Sequence, residues 1–268
     1  MIIRKSPEDI EKIAEAGRVL ARCLAMLRSK SRPGVTTGEL DEAAEKFIRS
    51  QGGEPAFKGY RGFPGSICVS PNSMVVHGIP GSYALKRGDL LSIDVGVVLN
   101  RWVADAAITV PVGNAPSPAR RLLTTTQGAL FDAVEQCQPG NRLGDVSHAV
   151  QRRVEGDGFS VIRSLVGHGI GREMHEDPQI PNFGEPGTGP ELMEGMVLAI
   201  EPMVNAGRQD VRMGPDQWAV YSRDGSLAAH FEHTVAIMVD GPRILTPWHE
   251  IDGARSGGAA AARAGTRA

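Results

Sequence analysis

Two apolar runs, at residues 90–98 and 102–110, are separated by a short polar break. Runs of this length that are rich in Val, Ile and aromatic residues and that flank a turn are typical of a β-hairpin. Two acids, Asp94 and Asp105, lie inside these runs. The pattern therefore predicts two antiparallel strands that carry carboxylates within an otherwise apolar body.

The register of this hairpin decides how close the two acids lie. If the loop is Leu99-Asn100, Asp94 and Asp105 are directly opposite on one face, with Cβ atoms about 5 Å apart. Another loop length makes them diagonal neighbours or moves one of them to the other face. Two carboxylates among apolar residues repel each other and are costly to desolvate unless a cation lies between them. The alternative is one buried acid paired with an arginine and one acid at an exposed strand end.

Apolar residues recur at helical spacing in four segments outside the hairpin. Ser6 is the predicted N-cap of the first helix, because Pro7 and two acids follow it, and Thr37 is the predicted N-cap of the second. The predicted helices run from Ser6 to about Arg28, from Thr37 to about Gly52, from Ser117 to about Cys137 and from about Gly144 to Glu155. Short strands are predicted at residues 66–70, 74–77, 161–166, 196–200, 218–221 and 231–238.

A set of turn and helix residues recurs 106 positions later in the chain. Pro33-Gly34 and Gly38-Glu39-Leu40 in the first half correspond to Pro139-Gly140 and Gly144-Asp145-Val146 in the second. In both halves a helix precedes the Pro-Gly turn and strands follow the second helix. This pattern predicts two similar α-α-β halves with joined sheets and with helices on one side; coincidence among common turn residues is the alternative. A junction between two such halves is a usual place for a ligand site.

Charge and composition exclude several classes of function. The chain has 268 residues and a formal net charge of −2, so no general attraction to nucleic acid or to a membrane is expected. It has no apolar run long enough for a membrane span, and its first residues lack a signal core. Its three cysteines, Cys23, Cys68 and Cys137, form no CxxC pair, which favours a reducing, cytoplasmic setting without disulfides.

Three polar residues interrupt apolar segments in the second half. His168 lies between glycines, where the backbone can approach a ligand closely, although a lone histidine is more often a satisfied structural residue. Glu201 ends an apolar strand. Glu232 is expected to share a strand face with Thr234, whereas His233 points the other way and is interpreted as structural.

With the hairpin acids, these residues make a set of four carboxylates and one imidazole: Asp94, Asp105, His168, Glu201 and Glu232. Oxygen-rich sets with one nitrogen suit Mn²⁺, Fe²⁺, Co²⁺ or Zn²⁺ and exclude a soft thiolate site. Four negative charges are balanced by two divalent ions, whereas a single ion leaves a strongly negative buried cluster. The set therefore predicts two divalent ions that hold and activate a water molecule.

The order of these motifs resembles that of the type I methionine aminopeptidases, a family with the pita-bread fold. The resemblance covers about residues 2–250 and rests on Asp-x10-Asp, Gly-His-Gly-Ile-Gly, His-Glu-Asp-Pro, Ile-Glu-Pro-Met, Phe-Glu-His-Thr and Val76-His77-Gly78-Ile79-Pro80. It implies an α+β fold of two pseudo-symmetric α-α-β halves, with a central antiparallel sheet covered by helices. Residues 1–252 would form the catalytic domain, and residues 253–268, rich in Ala, Gly and Arg, a disordered tail.

The activity implied by the resemblance is removal of the initiator methionine from nascent polypeptides when the second residue is small and uncharged. The enzyme would be cytoplasmic and monomeric, in transient proximity to the ribosome, and would bind neither nucleic acid nor membranes. Its cofactors would be two divalent ions of Co, Mn, Fe or Zn. Asp94 would chelate one ion, Asp105 and Glu232 would bridge both, and His168 and Glu201 would bind the other.

The resemblance also implies residues that contact the substrate. His77 and His175 match histidines that flank the substrate without binding metal, His77 near the scissile amide nitrogen and His175 on the carbonyl side. Glu201, at the edge of the metal pair, is our candidate general base. The residues that match the family's methionine pocket are Tyr60, Phe63, Cys68, His77, Met174 and Trp218.

The chain departs from the family pattern at three places. Phe57 stands where some relatives have Cys, Met174 replaces the commoner Phe, and Ser73-Met74 lack the acidic residue usual after Pro71-Asn72. A flexible thioether at Met174 is expected to widen the tolerance for bulky substrate side chains.

Three other interpretations stay open at this point. Prolidases and X-Pro aminopeptidases share the fold and metal set but usually carry an extra N-terminal domain, and only about ninety residues precede Asp94. A non-catalytic binding relative would usually have lost ligands and gained basic insertions. A creatinase-like enzyme uses the fold without metals, which would leave the five ligand residues unexplained.

Overall fold

The computed structural model describes residues 1–251, so the predicted tail at residues 253–268 lies outside the described part. The helices in this range are α1 (Pro7–Lys30), α2 (Thr37–Ser50), α3 (Ser117–Glu135), α4 (Leu143–Gly156) and α5 (Trp248–Ile251), with a 3-10 turn at Tyr60–Gly62. Within residues 1–251, no helix is long and apolar enough to cross a membrane.

The strands are short, apart from the central hairpin. They are β1 (Glu54–Pro55), β2 (Cys68–Pro71), β3 (Met74–Val76), β4 (Leu90–Leu99), β5 (Trp102–Pro111), β6 (Ser160–Val161), β7 (Val166–Gly169), β8 (Glu176–Pro181), β9 (Val197–Ile200), β10 (Met203–Asn205), β11 (Val211–Met213), β12 (Val220–Ser222), β13 (Ala228–His230), β14 (His233–Met238) and β15 (Gly241–Ile244).

Antiparallel sheets form the body of each half. In the first half, β4 pairs with β1, β2 and β5. In the second half, the largest sheet has the order β15-β14-β9-β7-β8 and a smaller sheet has the order β13-β10-β6. A third sheet, with the order β11-β12-β3, pairs β12 of the second half with β3 of the first. The helix α1 packs on β4 and β5, and α3 packs on β9, β10 and β13, so helices cover the sheets as predicted.

The predicted internal repeat is present in the structure. The helix α2 covers residues 37–50 and α4 covers residues 143–156, so both ends are displaced by the same 106 positions. The strands β1 and β6, which follow these helices, are displaced by the same number. The prediction of two α-α-β halves is therefore confirmed.

The two halves meet along β5. The Glu232 N–H donates to the Ala107 carbonyl at 2.9 Å. The Thr234 hydroxyl donates to the Asp105 carbonyl at 2.7 Å and accepts from the Asp105 N–H at 3.0 Å. These bonds tie the hairpin of the first half to the large sheet of the second, so acids from both halves lie near one junction.

The predicted hairpin is confirmed, and of the registers left open by the sequence, the one with a Leu99-Asn100 loop does not form. Leu99 pairs with Trp102, so the loop is Asn100-Arg101, and both loop residues have positive φ (51° and 65°). A two-residue turn of this kind matches the twist of the flanking strands, which is why Leu99 stays in the ladder. Asp94 consequently faces Ala107 and Asp105 faces Gly96. The two acids are diagonal neighbours on one face instead of directly opposite residues.

The helix caps follow the sequence with one shift. Ser6 caps α1 as predicted, but the cap of α2 is Thr36, not Thr37. The Thr36 hydroxyl accepts from the Glu39 N–H at 3.2 Å, and the Glu39 carboxylate accepts from the Thr36 N–H at 2.7 Å. The Thr37 hydroxyl instead donates to the Gly81 carbonyl and ties the helix start to a loop.

Two strand predictions in the second half were wrong. Residues 161–166 do not form one strand, because β6 ends at Val161 and β7 begins at Val166 in a different sheet. The predicted strand at 218–221 begins only at Val220, because the Asp216 carboxylate accepts from the N–H groups of Trp218 and Ala219 at 3.0 and 2.9 Å.

Candidate metal centre and active site

Five predicted polar residues meet in one cleft at the junction of the halves. Asp94 and Asp105 come from β4 and β5, His168 from β7, Glu201 from the residue after β9, and Glu232 from the residue before β14. The cleft has a volume of about 160 Å³, and all five side chains line it. Strand ends from both halves therefore position the set that the sequence proposed for metal binding.

Three of these residues are close enough to share one ion. Asp105, His168 and Glu232 are buried, and each offers a ligand atom within 4.8 Å of the others. Glu201 lies beside this group, with Oε1 3.6 Å from His168 Nε2. Asp94 joins the same face through its diagonal position next to Asp105. The geometry is a compact cluster of carboxylates with one imidazole at its edge.

Burial raises the pKa of all four carboxyl groups in the cluster, and repulsion from neighbouring carboxylates adds to this rise at Asp94, Asp105 and Glu232. Burial raises the pKa of Glu201 to about 8, and burial together with the Glu201 charge raises the pKa of Asp94 to about 7. The pKa values of Asp105 and Glu232 lie well above their usual range, mainly because of burial and then because of the neighbouring carboxylates. In the metal-free protein, the four negative charges are thus strongly disfavoured at neutral pH.

The residues present fit divalent metal ions. Among the described residues, three buried carboxylate oxygens of the cluster have no hydrogen-bond partner: Asp94 Oδ1, Asp105 Oδ1 and Glu232 Oε1. Unsatisfied buried acceptors are costly, and a cation satisfies them. The ring Nδ1 of His168 lies 2.9 Å from the Gly169 carbonyl, so an Nδ1–H donor leaves the Nε2 lone pair free to bind metal. Burial lowers the pKa of His168 to about 4, which keeps the ring neutral, as a ligand must be.

The two other predicted histidines stand at the cleft but outside the carboxylate cluster. His175 Nδ1 lies 2.9 Å from the Tyr60 hydroxyl, and the two rings stack with centroids 5.4 Å apart. Desolvation, followed by the influence of His168 and Arg61, lowers the pKa of His175 to about 4. His77 has a φ of 58°, a left-handed conformation that is uncommon outside glycine and that clusters at functional sites.

His77 is neutral at physiological pH. His77 is an exposed residue that lines the cleft, where many atoms surround its imidazole. This desolvation, with a smaller effect of the nearby His230, lowers the pKa of His77 to about 4. Both His77 and His175 are thus available as neutral hydrogen-bonding groups beside the cluster.

An apolar wall completes the cleft. Phe63 and Trp218 pack edge to face, with ring centroids 5.2 Å apart. The predicted pocket residues that line the cleft are Tyr60, Phe63, Cys68, His77 and Trp218, joined by Phe57 and Arg61. Met174 is not among the described lining residues; it is buried, and its Cε converges with the Phe57 ring over Gly96.

Sequence reasoning missed His230, which lies in the same cluster. His230 ends β13 and is 1% exposed, and its Nε2 lies 3.6 Å from Glu201 Oε2 and 3.9 Å from Glu232 Oε2. The available signal was its position two residues before Glu232, since alternate residues of an extended chain share a face. His233 lies on the far side, stacked on Trp248 at 4.5 Å, as predicted.

Known metallopeptidases resemble this chain in sequence and in fold. The sequence pattern of metallopeptidase family M24 matches residues 11–238. A methionine aminopeptidase of Clostridium perfringens is 53% identical over 246 residues, which are 92% of this chain and 99% of the relative. A methionine aminopeptidase structure from Thermotoga maritima matches with a TM-score of 0.91 at 46% identity, over 92% of this chain and 99% of that one. A prolidase structure from Pyrococcus furiosus matches with a TM-score of 0.75 at 25% identity, over 91% of this chain and 65% of that one.

Proposed function

This chain belongs to metallopeptidase family M24 and has its pita-bread fold, and on that premise we propose that it is an aminopeptidase that removes N-terminal methionine. The observation that carries the proposal is the cluster of buried carboxylates whose oxygens lack hydrogen-bond partners among residues 1–251, next to an apolar cleft wall. High identity to relatives named methionine aminopeptidase supports the choice of substrate. We infer that the second residue of the substrate is small and uncharged.

The proposed cofactors are two divalent ions of Mn, Fe, Co or Zn. Asp94 would hold one ion, Asp105 and Glu232 would lie between the two, and His168 and Glu201 would hold the other. The charge balance supports two ions, because four carboxylates offset four positive charges. Bound there, the ions would lower the pKa of a water molecule and polarise the substrate carbonyl.

Glu201 is the proposed general base. Its side chain lies at the edge of the cluster and is 13% exposed, so it reaches both the cluster and the cleft. Glu201 would take a proton from the attacking water, whose oxygen then bonds to the carbonyl carbon of the first peptide bond. Glu201 would return that proton to the amide nitrogen as the C–N bond breaks. The products are free methionine and a peptide shortened by one residue.

The two cleft histidines are proposed to contact the peptide bond that breaks. If the Tyr60 hydroxyl donates to His175 Nδ1, the His175 proton is on Nε2, where it can be donated to the developing oxyanion. His77, neutral and held in an uncommon backbone conformation, would assist at the leaving amide nitrogen. The sulfur and aromatic groups of the cleft wall suit a thioether side chain.

The cellular setting belongs to the same proposal. We infer action in the cytoplasm on nascent polypeptides, in transient proximity to the ribosome, by a monomer. The support is that Cys23, Cys68 and Cys137 are all buried and unpaired, which suits a reducing compartment. Size-exclusion chromatography with light scattering tests the monomer, and co-sedimentation with ribosomes carrying short nascent chains tests the proximity.

A peptide panel tests the substrate. The metal-loaded protein should release methionine from Met-Ala-Ser and Met-Pro-Ala, and its kcat/KM should be far lower for Met-Leu-Ser and Leu-Ala-Ser. Cleavage of an Xaa-Pro dipeptide with no release of methionine would move the assignment to a prolidase. Metal uptake without cleavage of any peptide would favour a non-catalytic relative.

A further inference from the structure

His230 is a buried imidazole without a hydrogen-bonding role for its ring among the described residues. Both ring nitrogens are buried and unpartnered. The backbone, in contrast, is firmly held, because the His230 N–H donates to the Thr109 hydroxyl at 2.9 Å and the Thr109 hydroxyl donates to the His230 carbonyl at 2.7 Å. Most buried polar side-chain atoms in proteins have a hydrogen-bond partner. An imidazole that is held in place while neither of its ring nitrogens has such a partner therefore requires an explanation.

The surroundings of the ring show which partner fits. His230 Nε2 lies 3.6 Å from Glu201 Oε2 and 3.9 Å from Glu232 Oε2. Both distances are too long for a hydrogen bond. Two ligand atoms that each lie about 2.1 Å from one metal ion are separated by about 3.0–3.6 Å at ordinary coordination angles. The observed spacing is therefore close to that of ligands around a shared cation.

The arrangement repeats on the other side of Glu201. His168 Nε2 lies 3.6 Å from Glu201 Oε1, whereas His230 Nε2 lies 3.6 Å from Glu201 Oε2. Glu201 is thus flanked by two imidazoles at equal distance, one on each carboxylate oxygen. His168 is the proposed nitrogen ligand, and His230 occupies the matching position.

We propose that His230 is an additional metal ligand, which binds through Nε2 to the ion held by Glu201 and Glu232. This inference rests on the metal centre of the proposed function and extends its donor set from one imidazole to two. A second nitrogen donor favours Zn²⁺ and Co²⁺ over Mn²⁺, since imidazole suits the former and oxygen donors suit the latter. His230 would therefore select the metal as well as hold it.

The test compares metal-loaded wild type with His230→Gln and His230→Ala. X-ray absorption spectra of the Zn²⁺-loaded proteins should give two imidazoles per two ions in the wild type and one in the variants. Competition between Zn²⁺ and Mn²⁺ should show that the wild-type preference for Zn²⁺ falls about tenfold or more in the variants, since the removed donor is a nitrogen. If His230→Ala does not fold, His230→Gln carries the comparison.

His233→Gln is the matched control, because His233 is equally buried, is next to Glu232 and points away from the cluster. It should keep the wild-type imidazole count and metal preference. One imidazole in the wild type would overturn the proposal, and so would an unchanged count in the His230 variants, even with weakened affinity. Two bound ions with two imidazoles but no release of methionine would refute the proposed function and leave the role of His230 standing.

Discussion

Individual side chains in the cleft divide into those proposed to hold cations and those proposed to contact the peptide. The carboxylates of Asp94, Asp105 and Glu232 each have a buried oxygen with no hydrogen-bond partner among residues 1–251. His77 and His175 instead stand at the open side of the cleft. Mutations in the two groups should therefore separate metal binding from turnover.

Glu201→Ala and His77→Ala should have different effects. Glu201→Ala should lose the affinity for one ion and nearly all turnover, because it removes a ligand and the general base. His77→Ala should keep both ions and lose about 10²–10⁴-fold in kcat/KM, as expected for one acid–base group. Isothermal titration with Mn²⁺ and the release of methionine from Met-Ala-Ser measure the two quantities.

His148→Ala is the control for the His77 variant, because His148 lies in α4 away from the cleft. It should match the wild type in both assays. Loss of an ion in His77→Ala would assign His77 to the metal centre and contradict the division of roles.

Met174 is the position at which a substitution should alter specificity. Its side chain is 4% exposed and packs with Phe57, which lines the cleft, so its flexibility can be transmitted to the wall. Met174→Phe should reduce kcat/KM for peptides with bulkier first or second residues by about tenfold, relative to Met-Ala-Ser. The measurement is a cleavage profile over first and second residues, with the unfolding temperature as a check on packing. Equal profiles for the two proteins would refute this role.

At the scale of elements, β5 is the strand on which the site depends, because it carries Asp105 and contacts the sheet of the other half. The Thr234 hydroxyl makes two hydrogen bonds to the backbone of Asp105. These hydrogen bonds fix the position of Asp105, in the first half, relative to β14, the strand of the second half that directly follows Glu232. The residues of the candidate metal centre are thus positioned by the same hydrogen bonds that join the halves.

Thr234→Val should weaken this junction. The substitution keeps the shape but leaves the Asp105 N–H and carbonyl without their partner, which should cost about 1–3 kcal/mol of the free energy of unfolding. Denaturant unfolding of the metal-free protein measures the loss. Thr126→Val is the matched control, because Thr126 is equally buried but its hydroxyl bonds only its own helix at Leu122. If both variants lost the same free energy of unfolding, the hydrogen bonds at the junction would contribute no more to stability than a hydroxyl bond within one helix.

Elements with a local signal were predictable from the sequence, and contacts that depend on other elements were not. The Pro-Gly turns and the helical spacing gave α2, α4 and the repeat. The register of the hairpin depends on the Asn100-Arg101 turn, whose twist matches that of the strands. The sequence did not show whether Leu99 belongs to the turn or to the strand, where it pairs with Trp102. His230 was missed because its significance depends on its proximity to Glu201, which follows β9 and is distant from it in sequence.

At the scale of the whole molecule, the metal-free protein must keep four acids together at the junction of its halves. The folded-state pKa of Asp94 is raised to about 7 and that of Glu201 to about 8, against about 4 in an unfolded chain. Between the unfolded-state pKa of about 4 and the folded-state values of about 7 and 8, the folded protein therefore binds more protons than the unfolded chain. Protonation of these two carboxyl groups therefore stabilises the folded protein. This stabilisation is fully present below about pH 4 and is lost as the pH rises through the folded-state pKa values.

The metal-free protein should consequently lose stability between pH 5 and pH 8, and added Mn²⁺ should stabilise it more at pH 8 than at pH 5. Unfolding temperatures with and without the ion, measured across this range, test both trends. Asp94→Asn should flatten the pH dependence. Glu45→Gln is the control: Lys58 and Arg49 lower the pKa of Glu45 to about 2, so its removal should leave the slope unchanged above pH 5. A metal-free stability that rises over this range would contradict the proposed electrostatics.

The most direct measurement is the release of methionine from Met-Ala-Ser by the metal-free protein, titrated with Mn²⁺, Fe²⁺ or Co²⁺ while bound metal is counted. Turnover should be absent without metal, should appear on titration, and should reach its plateau at two bound ions per chain. Release of methionine at full rate without metal, or uptake of two ions without any release, would contradict the assignment of this cleft as a dinuclear aminopeptidase site.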